Sequence, residues 1–396
     1  MFTKQVVIVT PWFGQFGGGA ESLARGMARE LNRRGVRTIV FTTCSHSPYD
    51  DWWSDHWRPG VYEIEGVEVR RFSANQNKSP YRAAIRKIQQ GASLTDTDQN
   101  NFFEFSVNSN ALVDALAPFL NDGYEVLALP YFFGLTHSAV NVYPNQISLI
   151  PCFHNEPQFY WSATNRLLAN ARRIFYNSPE EKEMTINQYG NAVGRKVVEG
   201  VVCGVGVELT ESQSETTTPE LPANYFVYAG RKERGKNVPL LCEWFAQYAR
   251  TAPDAKLIFI GGGDSGLVPA TKEFLDLGFV SETIKQHVIA HANAVLTFSE
   301  NESFSIVLME GWLLGVPAVV SSNCAVMMGH VRRSSGGLYA RDAEDFAAVL
   351  RYLQREPLVA RRLGENGKQY ARENFNFDAV LGRYLEVFNR TNGHGA

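Results

Sequence analysis

Two glutamates separated by seven residues, Glu302 and Glu310, lie on either side of a predicted helix start. Ser303 or Ser305 can cap this helix, because a serine hydroxyl accepts a hydrogen bond from a free N–H of the first turn. The other free N–H groups of that turn can bind a diphosphate. Glu302 and Glu310 then reach different depths of one pocket. The alternative is a pair of ordinary acidic residues near a helix start, which is the commonest fate of such pairs.

A second group of charges, residues 231–236, directly follows a predicted strand at 225–230. Arg231 presents a planar fork that fits phosphate oxygens, and Lys236 supplies a point charge. Because ligands of parallel sheets bind at the carboxyl ends of the strands, cations at this position favour an anionic ligand. A solvated charged turn is the alternative.

A glycine-rich loop with Gly14, Gly17, Gly18 and Gly19 precedes another predicted helix. Glycines let backbone N–H groups approach an anion at a helix N-terminus, which favours contact with a phosphate or a sugar. A plain tight turn is the alternative. The loop lacks the G-x-G-x-x-G spacing and the next strand ends without an acidic residue, so a dinucleotide-dependent dehydrogenase is disfavoured.

Two series of alternating strands and helices carry these residues. In the first series, the apolar run at residues 6–9 predicts a buried strand. Apolar residues then recur at helical spacing over residues 20–31, and residues 38–43 predict the next strand. A second series begins at 225. We therefore predict an α/β fold with two Rossmann-like domains, parallel sheets and a cleft between the domains.

Between these series the pattern is less regular. Residues 61–69 predict a hairpin that turns at Glu65 and Gly66, and the polar segment 73–101 predicts a loop. Residues 208–224 hold almost no large apolar residue and predict the linker. We place the domain bounds at 1–207, 208–222 (linker), 223–375 and 376–396, and expect the last segment to be a helix that packs back on the N-terminal domain.

Composition narrows the function classes. The 396 residues suit two domains, and a net charge of −3 argues against non-specific nucleic-acid binding. The five cysteines form no CxxC pair, so neither a disulfide framework nor a zinc site is expected. The apolar run near the first residue is too short for the core of a signal peptide. No apolar stretch approaches the length needed to span a membrane. These features predict a cytoplasmic protein.

The segment from Glu302 to Glu310, with Phe304 and the turn at Gly315 and Pro317, resembles the E-x7-E segment of the retaining GT-B glycosyltransferases of family 4. Five further elements are similar in order: the loop Gly17-Gly18-Gly19, the strand 152–154 ending in His154, the Arg-x4-Lys element 230–236, the base-reading segment 278–281, and the run 363–378. The resemblance covers nearly the whole chain. It is strongest over 225–390 and weaker over 45–150.

The resemblance implies a role for each matching residue. Arg231 and Lys236 would hold the diphosphate of a nucleotide sugar, Glu310 the ribose hydroxyls and Glu302 the hydroxyls of the donor sugar. These, with His154 lining the sugar pocket, are the implied catalytic group: Glu302, His154, Arg231 and Lys236. The implied donor-binding group is Gly17, Gly18, Gly19, Phe279, Val280, Phe304, Ser305, Ile306, Val307 and Glu310.

Two positions depart from the family pattern. Ser305 stands where many members have glycine, which adds a side chain where the donor packs closely. The turn Cys203-Gly204-Val205-Gly206 replaces Asn-Gly-Val-Asp and lacks its two polar side chains.

The resemblance implies a retaining, metal-independent hexosyltransferase (EC 2.4 class) that needs no cofactor. We expect UDP-glucose or a similar UDP-hexose as donor and a polysaccharide, glycolipid or lipid-linked oligosaccharide as acceptor. One alternative is a non-catalytic nucleotide-sugar-binding subunit of a transferase complex. Another is a phosphorylase or epimerase of the same architecture.

Three further features have weaker interpretations. Asp96 and Asp98 form a D-x-D, which metal-dependent glycosyltransferases of another fold use, but here we expect an exposed and unrelated loop. Trp52, Trp53 and Trp57 either stack on an acceptor or pack a loop. Basic residues of the N-terminal half predict peripheral association with an anionic inner membrane surface if they share a face; they are Arg33, Arg34, Arg37, Arg70, Arg71, Arg82, Arg86 and Lys87.

Overall fold

The computed structural model describes residues 5–14, 18–210 and 219–390. The chain forms two compact units. The first consists of Met1–Gly206 together with Val380–Ala396, and the second of Val207–Ala379.

Six strands form the main sheet of the first unit: β1 (Val6–Val9), β2 (Thr38–Thr43), β3 (Gly60–Ile64), β4 (Val67–Phe72), β5 (Glu125–Ala128) and β6 (Ile147–Leu149). Their order is β3-β4-β2-β1-β5-β6, and every neighbouring pair is parallel except β3–β4. Two short strands, β7 (Phe175–Tyr176) and β8 (Val201–Val202), form a second parallel pair. Every residue of β1 and β2 is buried, as the apolar runs predict for central strands covered on both faces.

Helices surround this sheet. They are α1 (Gly19–Arg33), α2 (Ser79–Gln89), α3 (Asp96–Glu104), α4 (Asn110–Asp114), α5 (Ala117–Asn121), α6 (Gly134–Val142), α7 (Ser162–Asn170), α8 (Pro179–Val193) and α9 (Arg195–Glu199). Glu65 and Gly66 both have positive φ, 52° and 75°, which builds the tight β3–β4 hairpin turn predicted from the sequence.

The segment 73–101 is not the loop that its polarity predicts. It contains α2 and the beginning of α3, where Thr95 and Asp98 form a reciprocal capping box. The two helices bury few residues and expose wide polar faces, but Ala84 and Phe102 still join the core of the unit. The polar composition therefore concealed two amphipathic helices.

The second unit has a six-stranded, wholly parallel sheet. Its strands are β9 (Tyr225–Ala229), β10 (Lys256–Ile260), β11 (Phe274–Asp276), β12 (Val295–Thr297), β13 (Ala318–Ser321) and β14 (Gly337–Ala340), in the order β11-β10-β9-β12-β13-β14. Alternate residues of β9 enter two different cores: Phe226 and Tyr228 face one, and Tyr225 and Val227 face the other. Helices accordingly cover both faces.

The helices of this unit are α10 (Val238–Ala249), α11 (Glu282–Ala290), α12 (Ile306–Leu313), α13 (Ala325–Ser334), α14 (Ala343–Arg355) and α15 (Pro357–Asn374). The chain then continues into α16 (Phe377–Arg390), whose residues from Val380 onward belong to the first unit. There Phe175 contacts Tyr384 and Phe388, and Arg383 donates to the Cys203 carbonyl at 2.7 Å. Within the described ranges, none of the helices combines the length and apolarity needed to cross a bilayer.

Candidate functional site

The loop after β9 carries basic side chains in different environments. Lys232 is buried, with Nζ 2.8 Å from Asp276 Oδ1, and it also donates to the Gly261 carbonyl. This lysine ties the loop to the ends of the neighbouring strands. Arg231 remains largely exposed, with Nη2 3.2 Å from Glu233 Oε1. No feature of the sequence distinguishes the structural Lys232 from its accessible neighbour.

Lys236 and Glu302, both predicted site residues, form an ion pair in which Nζ is 2.7 Å from Oε1. Lys236 ends a short 3-10 turn, and the next residue, Asn237, donates to the Phe298 carbonyl at 3.2 Å. Asn237 has a left-handed backbone and precedes α10. This contact joins the loop after β9 to the loop after β12, so the two charges meet at the carboxyl edge of the sheet.

The N-terminus of α12 is built differently from the expectation. Ser305 precedes Ile306 with φ of 73°, and its side chain makes no cap hydrogen bond. Its Oγ is buried and has no hydrogen-bond partner among the described residues. A left-handed conformation costs a serine about 1–3 kcal/mol. It suits glycine, which explains physically why the resembling family often has glycine at this position.

Glu310, on α12, is paired with a lysine that no sequence motif indicated. Lys285 Nζ lies 2.9 Å from Glu310 Oε1 and 2.7 Å from Glu282 Oε2. Burial raises the pKa of the Glu310 carboxyl, and the Lys285 ammonium only partly offsets this. Burial alone would lower the pKa of Lys285, but its two carboxylate neighbours raise it above the usual value. The lysine therefore stays charged.

Two predicted aromatic contacts have different surroundings. The Phe304 ring is buried and packs edge-on against His330 and Phe375, with centroids 5.2 and 4.8 Å away. Phe304 therefore fixes the loop before α12 by packing. Phe279, in contrast, is 76% exposed, while its neighbour Val280 packs against the core of the unit. The Phe279 ring is accessible to a flat ligand group.

In the first unit, Gly18 immediately precedes α1 and Gly19 begins it. A Cβ at Gly18 would lie 1.9 Å from Glu21 Oε2, because the buried Glu21 side chain folds back over the helix start. Nothing lies within 4 Å of a Cβ at Gly19. Gly17, also a predicted contact, lies outside the described residues.

His154 lies in a loop whose shape is set by a carboxylate network. Its Nδ1 is 3.8 Å from Glu156 Oε1, and the Tyr131 hydroxyl donates to that same oxygen at 2.6 Å. Burial and the adjacent Glu156 charge hold the pKa of Tyr131 well above its ordinary value, so Tyr131 remains a donor. Cys152 has φ of 55°, and burial raises the pKa of its thiol, which makes it a poor nucleophile.

A buried glutamate outside the predicted site residues anchors this loop. Glu181, in the first turn of α8, accepts hydrogen bonds from the Phe153 and Asn177 backbone N–H groups, each at 2.6 Å. Ser178 caps the same helix by accepting from the Glu181 N–H. Burial raises the pKa of Glu181 to about 8 in spite of these hydrogen bonds. A helix-start motif, Ser-Pro-Glu-Glu, is the signal that could have found it.

The D-x-D pair begins helix α3 and does not lie in a loop; Asp96 is exposed, as expected, but Asp98 is not. Asp98 is buried, accepts from Thr95 and lies 2.6 Å from Lys87 Nζ. Asp96 accepts from Ser162 at 2.7 Å. Throughout the ranges that the structure describes, no group of three or more acidic, histidine or cysteine side chains could hold a metal ion.

Trp52 and Trp53 mainly pack their loop against other segments of the first unit. Trp52 Nε1 donates to the Pro48 carbonyl and Trp53 Nε1 to the Phe105 carbonyl, at 3.0 and 2.9 Å. Their rings lie against each other with centroids 5.7 Å apart. Trp57 is 39% exposed and has the Arg71 guanidinium 5.0 Å from its ring centre. Of the three, Trp57 has the most accessible ring for a further ligand.

Residues 210–370 match the family model of the glycosyl transferases group 1. Over 394 residues the chain is 24% identical to a D-inositol 3-phosphate glycosyltransferase from Thermobifida fusca, covering 89% of this chain and 84% of that protein. It is also 24% identical over 178 residues to an alpha-1,3/1,6-mannosyltransferase, ALG2, from Dictyostelium discoideum. That match covers 39% of this chain and 42% of the mannosyltransferase, so the chain matches about two fifths of the length of this relative.

Three solved structures show the same fold over almost the whole chain. Trehalose-6-phosphate synthase OtsA has a TM-score of 0.73 at 12% identity, and the match covers 99% of this chain and 100% of OtsA. Sucrose-phosphate synthase from Thermosynechococcus elongatus has a TM-score of 0.68 at 16% identity, with the same coverage. Anabaena HepE, solved with UDP and glucose, has a TM-score of 0.66 at 15% identity and covers 98% of this chain and 100% of HepE. The GT-B fold that the sequence resemblance predicts is thereby confirmed.

Proposed function

We propose that this chain, which has the GT-B fold and matches the glycosyl transferases group 1 over residues 210–370, is a retaining hexosyltransferase that uses a nucleotide sugar. The observation that carries the proposal is the arrangement in the second unit. Arg231, the Lys236–Glu302 pair and the start of α12 are held at the carboxyl edge of one parallel sheet, and Glu310 lies inside α12. Open parallel sheets bind their ligands at this edge.

The proposed mechanism stabilises a leaving nucleoside diphosphate. Negative charge grows on the diphosphate as the glycosidic bond breaks. Arg231, Lys236 and the first N–H groups of α12, at Ile306 and Val307, would stabilise that charge without a metal ion. Preorganised donors of this kind lower the barrier, because they are already oriented when the charge appears.

The two glutamates have separate proposed roles. Glu302, next to Lys236, would accept from hydroxyls of the donor sugar, and Glu310 from the ribose. The resembling family transfers with retention by attack on the same face of the sugar, so we assign no protein nucleophile. His154 would line the sugar pocket, and Phe279 would lie against the base.

UDP-glucose or a close UDP-hexose is the proposed donor, supported by the GT-B neighbour HepE, whose structure contains UDP and glucose. The proposed acceptor is a polysaccharide, glycolipid or lipid-linked oligosaccharide. By their names, one relative is a mannosyltransferase and another is a D-inositol 3-phosphate glycosyltransferase. These names support transfer of a sugar to an acceptor, but they do not favour one of the three proposed acceptor classes over the others.

A thermal-shift panel of UDP-, GDP- and ADP-sugars tests the donor. A ligand at a hundred times its Kd stabilises a protein by about 2.7 kcal/mol, which is readily measured. We expect UDP-sugars to raise the melting temperature most. Stabilisation by GDP-mannose alone would refute the donor assignment.

Slow hydrolysis of the UDP-sugar without acceptor would distinguish the enzyme from a non-catalytic subunit. Phosphate-dependent turnover would instead identify a phosphorylase, and epimer formation an epimerase.

Peripheral membrane association remains part of the proposal, but several of the basic residues that suggested it form ion pairs or are buried. Arg33 and Arg34 pair with Glu30, and Arg70 pairs with Glu68. Arg71 is buried. We therefore expect at most weak dependence on anionic lipid. Strong co-sedimentation with phosphatidylserine vesicles, absent with neutral vesicles, would show that a basic face binds the membrane nevertheless.

A further inference from the structure

We propose that Lys285 is a positioning residue for nucleotide binding, which holds the Glu310 carboxylate ionised and in place to accept from the ribose. This inference rests on the ribose role proposed above for Glu310. Lys285 belongs to none of the sequence elements that suggested the function.

The geometry singles out this lysine. Its Nζ is 2.9 Å from Glu310 Oε1 on α12 and 2.7 Å from Glu282 Oε2 on its own helix, α11. The side chains of Lys285 and Glu310 are 18% and 17% exposed, whereas that of Glu282 is 54% exposed. Lys285, the counter-ion of Glu310, is therefore mostly buried together with it. Glu282 forms the second ion pair of Lys285 at the surface.

A carboxylate in this position needs such a counter-ion. Removing water from a carboxylate favours its neutral form, and an adjacent cation favours the charged form. Among the described residues, the charged groups that act on Glu310 are Lys285, which lowers its pKa, and Glu282, which raises it. Without Lys285, burial and Glu282 would act together to protonate Glu310.

The protonation state decides what Glu310 can bind. An ionised carboxylate has two acceptor oxygens and fits the two hydroxyls of a ribose, whereas a protonated one offers a donor in place of an acceptor. Lys285 therefore contributes to nucleotide affinity through Glu310. The competing role is direct contact with the phosphates, where Lys285 would act as one more cation.

A double-mutant cycle separates these roles. Calorimetric affinity for UDP-glucose is measured between about pH 5.5 and about pH 8.5 in the wild type, Lys285→Met, Glu310→Gln and the double variant. The diphosphate diester of this probe keeps a constant charge over the range. In Lys285→Met we expect the loss of affinity on acidification to begin at higher pH than in the wild type. Below that point the Kd should rise by up to about tenfold per pH unit.

In the Glu310→Gln background, Lys285→Met should have little further effect, because its target no longer titrates. An equal, pH-independent loss in both backgrounds would overturn the inference in favour of direct phosphate contact. Unchanged affinity of Lys285→Met at every pH would also overturn it. Lys256→Met is the matched control: Lys256 is a lysine of the same unit that donates to the Lys272 carbonyl, so its removal changes net charge equally.

Melting curves establish that each variant is folded, and Lys285→Gln replaces Lys285→Met if the latter is not. The two proposals fail in different ways. If the wild type binds no nucleotide sugar, or if Glu310→Gln binds as the wild type does, the proposed function of Glu310 is wrong. If Glu310→Gln weakens binding and Lys285→Met does not, only the inference about Lys285 is wrong.

Discussion

Lys236 and Glu302 neutralise each other in the structure, with 2.7 Å between Nζ and Oε1, although we assign them to different parts of a donor. In the proposed complex, the diphosphate would be a new partner for Lys236 and a sugar hydroxyl a new partner for Glu302. The Lys236–Glu302 ion pair would therefore be exchanged for these contacts when a donor binds. Both side chains are partly exposed, which keeps the cost of that exchange low.

Lys236→Ala should lower kcat by about 10²- to 10³-fold, the usual scale for losing one preorganised donor to a developing charge. Affinity for the intact UDP-sugar should change much less, because its glycosidic bond is unbroken in the ground state and the leaving-group charge has not yet grown. Steady-state kinetics with calorimetric UDP-sugar affinity measures both. Arg234→Ala is the control, since Arg234 is an exposed cation of the same loop. Equal losses in the two variants would assign the effect to general electrostatic attraction.

Glu181 should make the stability of the protein fall as pH rises. Its folded pKa of about 8 lies above the ordinary value of 4.5, so its stabilising contribution is complete below about pH 4.5 and disappears as pH passes through about 8. Glu181→Gln removes this titration and loses one of the two backbone hydrogen bonds at every pH. The melting temperature of Glu181→Gln minus that of the wild type should therefore increase with pH. Glu183→Gln, on the exposed side of the same helix, should show a constant difference.

The sequence motifs supply the candidate residues of the proposed site but few of the partners that these residues have in the structure. Glu302, Glu310, Arg231 and Lys236 stand in motifs whose spacing is visible along the chain. Their partners do not stand in such motifs. Lys285, for example, contacts Glu310 because α11 packs against α12. Contacts between distant segments leave no periodic signal, and the strain at Ser305 became visible only with its φ angle.

At the scale of elements, close glycine packing fixes α12 against α15. A Cβ at Gly367 would lie 2.2 Å from Trp312 Cδ1, and one at Gly364 would lie 1.9 Å from the Gly315 carbonyl oxygen. Trp312 is itself held by a 2.7 Å hydrogen bond to the Gly336 carbonyl. The helix that presents Glu310 is therefore supported by a surface with no room for a methyl group.

Gly367→Ala should destabilise the second unit by about 1–3 kcal/mol, the usual cost of overpacking a filled interior. The measurement is the midpoint of thermal or urea unfolding. Gly382→Ala, in α16, is the matched control, because nothing lies within 4 Å of its added Cβ. That variant should be neutral or slightly more stable, since alanine favours a helix by up to about 1 kcal/mol over glycine. A neutral Gly367→Ala would contradict the packing argument.

The elements themselves were predictable where one face was strongly apolar. Strands β1, β2 and β9 and helix α1 follow directly from such runs. Helices α2 and α3 did not, because their apolar stripe is narrow: of α2 only Ala84 is fully buried. A segment of that kind becomes helical through packing against Phe102 and its neighbours, which composition does not show.

At the scale of the whole molecule, the charge stabilisation that we propose requires no metal ion. EDTA should leave transfer from the nucleotide sugar largely unchanged, provided that the acceptor itself needs no metal. Initial rates with and without EDTA, followed by addition of Mn²⁺, measure this. Activity that is lost with EDTA and restored by Mn²⁺ would contradict the mechanism and would require a metal site that the salt bridge of Asp98 with Lys87 does not provide.

The first unit is assembled from two separate stretches of chain, since residues from Val380 onward pack with Met1–Gly206. On the ribosome, the whole of the second unit is synthesised before the residues from Val380 onward that complete the first. Domains generally fold as units while they emerge. The N-terminal unit therefore stays incomplete while the second unit is already able to fold. During that time the surface of Phe175 that later contacts Tyr384 and Phe388 is uncovered. A nascent chain of this protein reverses the usual order, because its first-made unit is the last to be finished.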